Sequence, residues 1–156
     1  MSDTVQRLQD RIAIRELVDT YARGADRRDA RLEASVFADD GRVILFNGDP
    51  AHTEPLDEIQ GRDRLAETFA SLIMQYDATT YLNGQSTVSF VGDDEADGET
   101  YCIAFHLLSN QGETSLVTMS IRYLDRFVRT SGGWRIATRR IVFDWTDRRP
   151  SEPSIS

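Results

Sequence analysis

Lysine is missing from this 156-residue chain, so all 18 of its basic side chains are arginine. Without lysine there is no Schiff-base nucleophile and no phosphate-gripping lysine of the P-loop kind. Cysteine is nearly absent too. Cys102 stands alone, which excludes an internal disulfide, a redox pair and a cysteine-built zinc site. The two histidines, His52 and His106, lie far apart in sequence and form no metal-ligand spacing. No apolar run approaches the roughly 20 residues of a membrane span, and the start of the chain lacks the basic, apolar and small-residue pattern of a secretory signal. A cytoplasmic protein that avoids membranes is expected. Positive charge is also in short supply: the net charge of −8 opposes the phosphate backbone of nucleic acids, which are not expected as partners.

What is present is patterned for one domain of helices followed by strands. From Asp3 to about Arg23 the residues Val5, Leu8, Ile12, Ile14, Leu17, Val18 and Tyr21 recur at helical spacing, with Asp3 as a cap and Gly24 as a stop. A short second helix begins after Asp29, turns Leu32, Val36 and Phe37 inward and ends at the turn Asp39-Asp40-Gly41. Arg42 to Phe46 reads as a strand, and Asn47 to Gln60, with prolines and acidic residues, as a loop. Gly61 introduces a third helix with Leu65, Phe69, Leu72, Ile73 and Tyr76 along its buried stripe. Four segments rich in β-branched and aromatic residues follow, Thr79–Val91, Gly98–Ser109, Thr114–Thr130 and Trp134–Trp145. Short turns join them, so an antiparallel meander is predicted. The fold class is therefore α+β: three N-terminal helices packed into a strongly curved, mostly antiparallel sheet, a cone-shaped α+β barrel with an internal pocket. The domain is expected over residues 1–146, with 147–156 as a frayed tail.

Several stretches carry a family likeness. The run Ile14-Arg-Glu-Leu-Val-Asp-Thr-Tyr-Ala-Arg-Gly-Ala-Asp26, the later Val36-Phe-Ala-Asp-Asp-Gly41, and Ile121-Arg-Tyr-Leu-Asp-Arg-Phe127 with Gly133-Trp-Arg-Ile-Ala137 together resemble the SnoaL-like branch of the nuclear transport factor 2-like superfamily. The resemblance implies cofactor-independent lyase or isomerase chemistry of the kind found in scytalone dehydratase, lindane dehydrochlorinase and ketosteroid isomerase. It equally admits non-catalytic ligand-binding or accessory modules on the same scaffold. Carried over by position, it points to Asp26 as the base or the group orienting His106. Tyr81 stands where such enzymes hold a first histidine, and His106 stands where scytalone dehydratase-like members hold a second.

The substrate implied is a small apolar carbonyl compound, such as a polyketide, steroid, terpenoid or aromatic, with Tyr21, Phe37, Phe69, Asn83, Arg122 and Phe143 as binding residues. No cofactor and no metal are expected. Shielding a carboxylate from water raises its pKa and makes it a stronger base, while a phenol or imidazole stabilises the developing enolate oxygen. Each residue also has a plainer reading: Asp26 as a cap, His106 as a hydrogen-bonded core residue, Tyr81 as a strand aromatic. His52, in its loop, is expected to be exposed, and Cys102 to be an inert buried thiol. Arg122, Arg139 and Arg140 either bind a substrate carboxylate or alternate on an outward sheet face. Trp134 and Trp145 on that face suggest a homodimer or homotrimer.

Overall fold

In the computed structural model, which describes residues 3–154, three helices pack on one face of a six-stranded curved sheet. The first helix, α1, spans Asp3–Asp26 and buries Ile14, Val18 and Tyr21 on one stripe. It does not stop at Gly24. That residue is needed for a different reason: a Cβ there would lie 2.5 Å from the backbone nitrogen of Glu33 and 2.7 Å from its Cα. Only glycine lets α2, Ala30–Ser35, cross α1 so closely. Asp29 caps α2 as expected, its Oδ1 accepting from the Leu32 amide at 3.0 Å. The third helix, α3, spans Arg62–Ile73 and buries Leu65 and Phe69, while Leu72 remains exposed.

The strands are β1 (Phe37–Asn47), β2 (Asp57–Gln60), β3 (Ala78–Phe90), β4 (Glu95–Asn110), β5 (Glu113–Thr130) and β6 (Gly133–Pro150). Their order across the sheet is β2-β1-β6-β5-β4-β3. The predicted meander of β3 to β6 is present, and only β1 with β6 is parallel. The sheet stays open, with β2 and β3 as its edges, instead of closing into a barrel.

Local departures from the sequence pattern have physical causes. Asp39-Asp40-Gly41 is a bulge inside β1, where the register against β6 shifts, and no turn forms. A Cβ at Gly41 would sit 2.9 Å from the Ala38 carbonyl oxygen and from the Phe37 Cβ. The predicted loop contains β2, which pairs with β1 and buries only Ile59. At the other end β6 continues to Pro150 through pairing with β5, so the start of the expected tail is strand; residues 155–156 lie outside the described residues.

Alternation along β5 turns Val117, Ile121, Tyr123, Asp125 and Phe127 toward the helices. The outer face carries a small apolar cluster of Ile44, Phe46 and Val142 with Leu124, surrounded by arginine–carboxylate pairs. Trp134 is not on that face: it is buried, and its indole N–H donates to Asp10 on α1 at 2.9 Å. Trp145 remains 53 % exposed. Among the described residues no helix is long and apolar enough to cross a membrane.

Candidate active site

The concave side of the sheet, closed over by the three helices, encloses an apolar cavity of about 200 Å³. Its walls come from every layer: Tyr21 of α1, Glu33 of α2, Phe69 and Leu72 of α3, Tyr81 of β3, and Ile141 and Phe143 of β6. Leu72 lines the cavity and is also 46 % exposed, so the cavity reaches the surface beside it. Nearly all of the lining is hydrocarbon or aromatic, and the few polar groups there are His106, Tyr81, Tyr21, Tyr123, Thr68, Thr79, Tyr76 and Glu33.

His106 and Tyr81 meet in this space. They are neighbours on β4 and β3, where Thr79 pairs with His106 and Tyr81 with Ala104, so alternation sends both side chains inward. The Tyr81 hydroxyl lies 3.1 Å from Nε2 of His106. Tyr76 packs on the imidazole with ring centroids 4.5 Å apart. His106 is 2 % exposed, and burial lowers its pKa, which keeps the ring neutral near neutrality. The Tyr81 hydroxyl is pushed upward by burial and is a donor, never a phenolate, at ordinary pH.

Asp26 stands apart from this pair. Its Oδ1 accepts the Thr79 hydroxyl at 2.9 Å, and the Tyr81 backbone N–H lies 3.1 Å from Oδ1 and 3.0 Å from Oδ2. Burial raises its pKa and these hydrogen bonds oppose the rise. The carboxylate thus ties the end of α1 to the start of β3, and it borders a surface groove with Asp19, Arg23 and Asn83. It makes no hydrogen bond to His106.

Of the expected binding residues, Tyr21, Phe69 and Phe143 line the cavity, and Phe37, Asn83 and Arg122 do not. Phe37 is buried behind the wall, its ring centroid 6.2 Å from those of Tyr21 and Phe69. Asn83 donates to Asp19 Oδ1 at 3.0 Å and to the Val18 carbonyl at 3.3 Å, bracing α1 from outside. Arg122 is on the outer sheet face in a two-pronged pair with Asp144, both bonds 2.8 Å. Arg140 is exposed on that outer face with Arg42 and Arg126, whereas Arg139 points inward and is fully buried. Arg139 pairs with Asp125 at 2.9 and 2.8 Å and lies against both the Tyr21 and Tyr123 rings, 4.3 and 4.0 Å from their centroids. Cys102 is buried, and burial raises its thiol pKa. His52 is exposed. Among the described residues no cluster of histidine, cysteine and carboxylate side chains is arranged to hold a metal ion.

One cavity group has no counterpart in the sequence expectations. Glu33 is 4 % exposed and lines the cavity, and its Oε2 has no hydrogen-bond partner. Burial pushes its carboxyl up to about 8, against the opposing pull of the Arg139 charge and the Tyr21 hydroxyl. The sequence hint is Gly24, whose missing side chain admits the Glu33 backbone.

Comparison with known proteins agrees with the fold. Residues 6–140 match the SnoaL-like domain. A candidate scytalone dehydratase from Novosphingobium aromaticivorans superposes with a TM-score of 0.75 at 21 % identity, covering 92 % of this chain and 90 % of that one. The hexachlorocyclohexane dehydrochlorinase LinA-type3 from Novosphingobium barchaimii does so with 0.82 at 15 % identity, over 99 % of both chains. So does the β subunit of a candidate aromatic-ring-hydroxylating dioxygenase from Novosphingobium aromaticivorans, with 0.72 at 21 % identity, covering 90 % of this chain and 92 % of that one. At these identities the likeness is one of fold. No curated protein matches the sequence. The domain match takes in all three helices and most of the sheet, and the chain belongs to the SnoaL-like domain family, with the nuclear transport factor 2-like fold.

Proposed function

We propose that the protein is a cofactor-independent lyase or isomerase of the dehydratase type, which moves a proton on a small, largely apolar carbonyl compound held in the cavity. The observation that carries this reading is the Tyr81–His106 hydrogen bond inside a largely apolar enclosure. Hydrocarbon walls favour an apolar substrate and strengthen the few polar contacts made within them. A carboxylate removes a proton from the carbon beside the carbonyl. The C–H pair becomes the new C=C bond, and the carbonyl π pair moves to oxygen. With Nε2–H of His106 donating to the Tyr81 oxygen, the Tyr81 O–H is free to donate to that developing oxyanion. Collapse of the enolate then expels a leaving group from the next carbon, or returns the proton at a different carbon. Asp26 acts at one remove, holding β3 and with it Tyr81 in place. That solved neighbours are described as a scytalone dehydratase candidate and a dehydrochlorinase supports elimination as the reaction type.

The cavity sets the scale of the substrate. About 200 Å³ suits a one- or two-ring compound, given that an apolar cavity of about 150 Å³ takes a benzene ring. The test is deuterium incorporation from D2O into one- and two-ring ketones, 2-tetralone first, followed by NMR. Wild-type protein is expected to exceed the buffer rate, and Tyr81→Phe to lose about 100-fold. An unaccelerated exchange across the ketones, or a Tyr81→Phe variant at full rate, rejects the reading. The second reading is a binding or accessory module, favoured by the separation of Asp26 from His106. It predicts saturable 2-tetralone binding without exchange.

A further inference from the structure

We infer that Glu33 is the carboxyl group that takes the proton from the bound carbonyl compound, an assignment that rests on the proton-transfer reading above. Of the carboxylates near the cavity it is the one that lines it. Asp26 has both oxygens engaged by Thr79 and Tyr81, and Asp125 has both engaged by Arg139. Glu33 keeps Oε2 unpartnered although the residue is 4 % exposed. A buried carboxyl oxygen with no partner is costly for folding, and a purely structural glutamate would satisfy it. The chain instead sets glycine at position 24 so that the backbone of Glu33 seats against α1.

The surroundings suit a base. Tyr21 and Asp26 of α1, Tyr81 of β3 and Arg139 of β6 act on Glu33 across the cavity wall. Arg139 is committed to Asp125 and does not form an ion pair with Glu33. Of the charged residues of α3, Arg62, Asp63 and Glu67 share a surface groove with Arg31 and Ser35 of α2, Arg64 is exposed, and none of the four lines the cavity. Because burial pushes the carboxyl up to about 8, about a tenth of it is ionised at pH 7, and that fraction is a far stronger base than a solvated carboxylate. In the step proposed, Oε2 forms an O–H bond to the α-hydrogen, the C–H pair enters the enolate, and Tyr81 holds the enolate oxygen. The same carboxyl then returns the proton, or releases it to solvent if a leaving group departs.

The experiment combines 2-tetralone exchange in D2O with ¹³C NMR of protein labelled at the glutamate side-chain carboxyls. Glu33→Gln identifies the Glu33 resonance by its disappearance. The wild-type resonance is expected to titrate near pH 8 and to shift when 2-tetralone is added, and the exchange rate to rise with pH through the same inflection. Glu33→Gln should lower exchange by at least about 100-fold and abolish the inflection, and Glu33→Asp should restore part of both. Asp26→Asn should slow exchange and, by removing a negative charge that helps hold the Glu33 carboxyl up, move the inflection lower without abolishing it. Exchange by Glu33→Gln at the wild-type rate, or an inflection that disappears with Asp26→Asn, overturns the assignment and leaves the proposed reaction standing. Wild-type protein whose Glu33 resonance responds to 2-tetralone but which catalyses no exchange overturns both, and makes the cavity a binding site. Glu33→Asp removes the same labelled carboxyl and identifies the resonance equally, so a Glu33→Gln variant that failed to fold would still leave the assignment exposed to refutation.

Discussion

Replacing Arg139 by methionine would leave the Asp125 carboxylate buried with no cation and strip the Tyr21 and Tyr123 rings of the guanidinium that packs against both. Breaking a buried pair from one side costs about 3–5 kcal/mol, because the abandoned charge stays desolvated. We expect Arg139→Met to lose that much in urea denaturation and Arg139→Met combined with Asp125→Leu to recover most of it. Full stability in the single variant would mean that the pair contributes nothing. The legibility of the individual residues follows from the same geometry. Tyr21 and Phe69 sit on helical stripes that the periodicity turns inward, whereas Tyr81, His106 and Phe143 are reached through the family resemblance, with which the alternation of their strands agrees. Glu33 is illegible by that route, since a glutamate in a six-residue helix reads as a solvated face. Arg139 and Arg140 look interchangeable in the sequence, yet one is walled in and the other exposed, because consecutive strand residues face opposite ways.

Among the elements, α1 is held to the far end of the sheet by one buried carboxylate. Asp10 accepts from the Trp134 indole at 2.9 Å, from Arg129 at 2.8 Å and from Gln6 at 3.0 Å. Burial alone would raise its pKa; the hydrogen bonds from Arg129, Trp134 and Gln6 outweigh that, and the net shift is downward. A carboxyl lowered in the folded state contributes stability above its unfolded pKa of 3.8 and loses it as the pH falls through the folded value. Asp10→Ala should therefore cost roughly 2 kcal/mol or more at pH 7, and the gap to wild type should narrow below pH 4 in acid denaturation. An equal gap at pH 3 and pH 7 would contradict the linkage. The long meander strands, α1 and α3 were readable as elements because their periodicity extends over many residues, and the six-residue α2 because Asp29 caps it. The four-residue β2 was not, having only Ile59 to bury, and the β1 bulge was hidden because Asp39-Asp40-Gly41 has turn composition.

For the molecule as a whole, the cavity groups tilt stability against pH in opposite senses. Glu33 rises from 4.5 to about 8 on folding, so the folded state binds the extra proton between those values, and stability falls as pH climbs through that window. His106 is lowered from 6.5, so its contribution falls instead as pH drops below that value. Glu33→Gln should accordingly gain on wild type between pH 5 and pH 8, on the order of 1 kcal/mol per pH unit, in denaturant melts at both ends. A difference that stays flat across that range would place the Glu33 proton elsewhere. The general architecture was legible from sequence, but the openness of the sheet was not, since closure depends on whether β2 and β3 can reach each other, and strand count does not report it. The parallel seam between β1 and β6, which brings residues 37–47 against residues 136–143, has a further effect on how the protein comes into being. Closing so long a loop costs entropy before any contact repays it. During synthesis the helices and β1 emerge first and must wait for the last strand to leave the ribosome, and only then can the cavity acquire the wall that β6 supplies.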